Sequence, residues 1–339
     1  MESFGILKKN IRISKLHIEN DNIKEKLNSI SDFCFPVSTQ LSKETFDCKN
    51  IISAGFYPSQ VKCFSMENLS LKFQRNFDSS IIDFQILSKN WEKIVFLRSD
   101  NKLDFHTKSG SYYQIKILEK GCDLTFDKKK SFLYIPGINN FFSILDFNEG
   151  KFLNHVKAED NSVITCSGIS DFNGIFVLGT KNGTNEFWDP RILKNCIGKI
   201  NSSNYTKFSK NNGVSSLRFS NKCENMFFSG FDSGEVVVYD LRCFSPLISK
   251  VVDPFKPVKC IRTNYNSKFV LVSNSNSIKY WRISSGKTKF FYHSKTKINH
   301  ICCGKNTGMV FFSLDTKNIG VKYFKTLGPI PDWSKFFLK

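Results

Sequence analysis

The 339 residues are 40% apolar and carry a formal net charge of +19. That length can bury a large core, and with no run of 18 apolar residues a membrane-spanning helix is not expected. The opening MESFGILKKN has an acid at position 2 and no long apolar stretch, so a secretory leader is not expected either.

In chain order, NIRISKL (residues 10–16) alternates Ile11 and Ile13 with polar residues, the pattern of a half-buried strand. ENDNIKEKLNSISDF (residues 19–33) follows as the one predicted helix. A repeat then begins, marked by an aromatic or large apolar residue at Phe64, Phe105, Leu145, Trp188, Tyr239, Trp281 and Tyr323. The intervals are 41, 40, 43, 51, 42 and 42 residues. Upstream of each mark lies an apolar strand, such as NIISAG, GIFVLGT or GMVFFS, then a short polar turn such as TKNG or DSGE. Return strands such as LSLKF, YYQIKI and PLISKV come after it. A four-stranded unit repeated seven times at this period predicts an all-β, seven-bladed β-propeller of WD-repeat type.

The expected organisation is a closing strand and linker helix over residues 1–31, the propeller over 32–325, and a Pro/Trp segment over 326–339. The 10–16 strand is expected to pair with the blade holding Val310 and Val321, hiding an open edge. The long fourth interval places a protruding polar loop at residues 201–213.

Few residues invite chemistry. Eleven cysteines without a C-x-x-C pair read as reduced thiols of a cytosolic or nuclear protein, and the five histidines are scattered. SSGKT (residues 284–288) ends like a phosphate-binding loop, but Trp281 stands where the first glycine would be, so it reads as a blade turn. There is no G-x-S-x-G elbow. The expectation is a protein without catalytic residues, metal or cofactor. WDPR and YDLR place Asp189/Arg191 and Asp240/Arg242 on adjacent blades. Each aspartate is positioned to accept backbone N–H groups of the following turn. Paired D-x-R blades also resemble those of substrate receptors for cullin-type ubiquitin ligases, where the arginine meets an acidic adaptor; the structural alternative is that each Arg bonds within the protein.

The charge comes from 41 lysines against eight arginines. Part of it is compositional drift, yet drifted lysines still neutralise phosphates. Turn lysines reach phosphates without disturbing blades, which makes Lys128, Lys129, Lys130, Lys207 and Lys210 candidate RNA contacts. In LGPIPDW (residues 327–333), a candidate partner-binding segment with Leu327 and Gly328, the prolines Pro329 and Pro331 stiffen the backbone that carries Trp333, either as an anchor for a partner or as a cover for the propeller's own rim.

LSLKFQRNFDSSIIDFQILSKNWEKIVFL (69–97), DFHTKSGSYYQIKI (104–117), IKYWRISSGK (278–287) and TLGPIPDWSKFF (326–337) resemble the nucleolar protein ten family, called essential nuclear protein two in yeast. The resemblance covers residues 32–337. It implies a nucleolar, non-catalytic scaffold of the small-subunit processome, needed for small-subunit rRNA maturation. Processome proteins and precursor small-subunit rRNA are the implied partners, with the chain a monomer within a large complex and no membrane involved. Family members continue past the propeller into a charged tail, so contacts made by that tail are expected to be missing from a chain ending at Lys339.

Overall fold

The structure, a computed structural model, describes residues 28–202, 212–264, 266–305 and 307–331. They form seven antiparallel four-stranded sheets. Six blades are continuous in sequence, over residues 39–76, 81–116, 125–157, 164–201, 214–251 and 258–293. The seventh takes three strands from residues 298–323 and its fourth from Asn28–Cys34. The described residues contain no helix.

All seven repeat marks fall on the third strand of a blade. Second strands, such as Asn50–Gly55, Phe176–Thr180 and Met309–Leu314, are buried throughout, which is why they read as unbroken apolar runs. Fourth strands such as Ser70–Asn76 lie at the perimeter and are largely exposed. Seven apolar clusters fill the seven seams between blades. Trp188, Tyr239 and Trp281 are 1%, 0% and 0% exposed and sit in the seams between blades three and four, four and five, and five and six.

Turn chemistry follows the repeat. Gly183 and Gly234 both have φ of +85°, and a Cβ would lie 2.5 Å from the Asn212 carbonyl oxygen and 1.9 Å from that of Asp253. Only glycine fits either turn. SSGKT is the turn between Ser277–Arg282 and Thr288–His293, as its sequence suggested.

Ring closure differs from the sequence expectation. The edge of Asn318–Tyr323, expected to pair with residues 10–16, is occupied by Asn28–Cys34, with Asn28 opposite Val321 and Cys34 opposite Asn318. Residues 10–16, including Ile11 and Ile13, lie outside the described residues, as do 203–211 of the polar loop. The helix expected over 19–33 is likewise corrected for its second half. Ile30, Phe33 and Phe35 fill the seam between blades seven and one, and Phe33 stacks on Phe64 at 4.5 Å between centroids. Burial at an open edge outweighs the helix propensity of a charged segment. Inside the ring, Ser42 and Ser313 hydroxyls meet at 2.7 Å, and Thr39 Oγ1 donates to the Leu314 carbonyl at 2.9 Å.

Candidate functional site

First strands of neighbouring blades pack side by side for most of the ring, so they line its centre. Connections of an antiparallel sheet alternate between its two ends, which puts all turns after the first strands on one face. Three of these turns converge over the channel. Phe46 follows Thr39–Glu44 of blade one, Lys128 follows Thr125–Asp127 of blade three, and Lys305 follows Ile298–Cys303 of blade seven.

Lys128 Nζ lies 3.2 Å and Lys305 Nζ 3.4 Å from the centroid of the Phe46 ring. An ammonium comes that close only from directly above a ring, so the two occupy opposite faces, roughly 7 Å apart. Among the described residues neither ammonium has a hydrogen-bond or ion-pair partner. Burial depresses the Lys305 ammonium to about 8, helped by repulsion from Lys128. Lys128 is also lowered by burial, and Arg218 of blade five opposes the charge of both. The facing carboxylates are Glu44 and Asp171. Burial raises Glu44 to about 7 although it accepts the Lys305 backbone N–H at 2.9 Å, so it supplies only part of a negative charge near neutral pH.

Deeper in the channel Lys43 is paired with a carboxylate, and Arg262 is hydrogen-bonded to a neutral ring. Lys43 Nζ meets Asp83 Oδ1 at 2.7 Å. Arg262 Nη2 donates to His300 Nε2 at 2.6 Å, which requires a neutral imidazole, and burial holds the His300 pKa well down. Among the described residues, no group of three or more His, Cys, Asp or Glu side chains could hold a metal, and all eleven cysteines are free.

The lysines expected from sequence are treated unequally. Lys128 turns inward over Phe46, Lys129 donates to the Phe172 carbonyl at 3.0 Å, and Lys130 is half-buried. Lys207 and Lys210 lie outside the described residues. Phe46, Lys305, Glu44 and Arg218 were missed, because they are far apart in sequence. Aligning the turns after each first strand would have put Phe46, Lys128 and Lys305 on one face.

Arg191 and Arg242 are exposed, and each is held by its own aspartate. Arg191 Nη2 meets Asp189 Oδ2 at 3.0 Å and Arg242 Nη2 meets Asp240 Oδ2 at 2.7 Å. The aspartates also take the backbone N–H of Arg191 at 2.9 Å and of Arg242 at 3.0 Å, as expected. Hydrogen bonding from Arg242 lowers Asp240 to about 2. Leu327 is buried with blades six and seven, Gly308 donates to the Pro329 carbonyl at 3.0 Å, and the Tyr323 hydroxyl donates to the Gly328 carbonyl at 3.2 Å. Pro331 is buried, so this part of the segment lies on the propeller's own rim; Trp333 is outside the described residues.

Comparison with known proteins agrees with this architecture. Residues 7–338 match the family model described as the nucleolar protein 10-like N-terminal domain, a β-propeller. Nucleolar protein 10 of Homo sapiens is 31% identical over 320 residues, which is 93% of this chain and 46% of the relative. The ribosome biogenesis protein ENP2 of Saccharomyces cerevisiae is 30% identical over 334 residues, 95% of this chain and 46% of the relative. The Schizosaccharomyces pombe ribosome biogenesis protein enp2 homolog is 29% identical over 341 residues, 96% and 53%. The chain thus spans about half the length of the relatives it matches. With a family match across nearly its whole length and seven closed blades, this chain belongs to the nucleolar protein 10-like family.

Proposed function

We propose that the chain is a non-catalytic scaffold in ribosome biogenesis, acting in the nucleolus on the small subunit. Its partners in this reading are small-subunit processome proteins and precursor small-subunit rRNA, bound by a monomer within a large complex. The family match over residues 7–338 carries the proposal, since relatives in that family are named as nucleolar and ribosome biogenesis proteins. A closed ring is a rigid support that presents two faces and a perimeter to different partners. A net charge of +19 lowers the electrostatic cost of sitting among RNA phosphates.

The cullin-type receptor is the weaker reading. An adaptor carboxylate would have to displace Asp189 or Asp240 from an arginine each already binds. Depleting the protein and pulse-labelling rRNA separates the two readings. The expected outcome is loss of mature small-subunit rRNA with large-subunit rRNA spared. Equal loss of both, or loss of neither, would remove the small-subunit assignment.

A further inference from the structure

At the channel mouth two ammoniums rest on one aromatic ring, and among the described residues neither has a carboxylate or a hydrogen-bond acceptor. Two ammoniums on opposite faces of Phe46 repel each other, and Arg218 adds to the same field. Lys43, Arg98 and Lys256 reach carboxylates at 2.7 to 3.0 Å, and Arg75, Lys250 and Lys279, which also lie over rings, each donate to a backbone carbonyl, whereas Lys128 and Lys305 do neither. We propose that the mouth formed by Phe46, Lys128 and Lys305 binds single-stranded RNA, with a base stacked on Phe46 and adjacent phosphates taken by the two lysines. This deepens the scaffold reading and rests on it only for which RNA is met.

The chemistry favours a strand over an isolated phosphate. The separation of the two ammoniums is comparable to that of successive phosphates along a single strand, whereas one phosphate would sit on one side of the ring. A phenylalanine face accepts a cation or a base, and each can replace the other. When the lysines swing to phosphates they uncover the ring for stacking, and the charge they carried there is neutralised. Aromatic rings interleaved with lysines are how proteins hold unpaired nucleotides without reading their sequence. The flexible lysine stems and the half-exposed ring permit the exchange without moving a strand.

The test uses the full chain and a fluorescent uridine decamer, with affinity read by anisotropy across a salt series. Lys128→Gln with Lys305→Gln should weaken binding at least tenfold at low salt. It should also reduce the slope of log K against log salt by about 1.4, for two phosphates on a single strand. Phe46→Leu should weaken binding roughly 5- to 100-fold and leave the slope unchanged. Lys295→Gln with Lys317→Gln, on turns of the opposite face, should have little effect. If Phe46→Leu fails to fold, the lysine pair decides, since those side chains only cover a ring.

Unchanged binding in a folded Phe46→Leu variant overturns the proposal. So does an equal loss from the opposite-face pair, or preference for a phosphoserine peptide over the decamer. Oligonucleotide binding that depends on Phe46 in a protein that never enters precursor small-subunit particles supports the mouth and defeats the scaffold reading. Particle entry together with a decamer affinity that ignores Phe46 and both lysines does the reverse.

Discussion

Glu44 ties local packing to a measurable pH dependence. Burial lifts its carboxyl from 4.5 to about 7. Between those values the folded chain keeps a proton that the unfolded chain has lost, so this group's contribution to stability falls as pH rises. His106 acts the opposite way. Burial, then Arg75, lowers it from 6.5 to about 4, so its contribution rises with pH between those values. The two trends oppose each other in the wild-type curve, and a comparison of variants isolates one of them. Glu44→Gln should gain on the wild type steadily from about pH 4.5 to 7, by up to about 3 kcal/mol. Urea denaturation at several pH values measures this, and a difference independent of pH would place Glu44 in a more solvated setting. Nothing in the string TFDCKN or its neighbours announces such a residue, because its pKa is set first by burial and then by Lys305, which only the closed ring brings to it.

At the scale of elements, the strands were legible and the closure was only half so. Second strands announce themselves as apolar runs, and the marks at Trp188, Tyr239 and Trp281 are large because each fills a seam between blades. The N-terminal strand has a weaker pattern. NSISDFC buries Ile30 and Phe33, but two apolar residues in seven fit helix and strand equally, and only the open edge of Asn318–Tyr323 selects the strand. Phe33 then couples that edge to blade one through Phe64. Phe33→Ala should lower stability by about 3–5 kcal/mol, as truncation of a fully buried aromatic does. Thermal and urea melts measure it, and a loss below about 1 kcal/mol would mean that the seam between blades seven and one closes without this side chain.

Over the whole molecule, the repeat fixes the architecture while the site depends on what the ring brings together. Phe46, Lys128 and Lys305 are separated by more than a blade in sequence, yet they meet because turns after the first strands share one face. A period in the sequence predicts that face but not which of its side chains turn inward. The charge of +19 is visible in composition, whereas which cations find partners inside the channel and which lysines stay open at the mouth is visible only in three dimensions. The same holds for the D-x-R pairs: sequence offers two exposed arginines, and the structure returns each to its own aspartate. The family places this ring among proteins named for ribosome biogenesis, and scaffolding of the small-subunit precursor is the role proposed for it. Sedimentation of the tagged chain from nuclear extract through a sucrose gradient, with the co-migrating RNA identified, tests that role most directly. Co-migration with precursor small-subunit rRNA is the predicted result, whereas a chain that stays at the top of the gradient or travels with large-subunit precursors would contradict it.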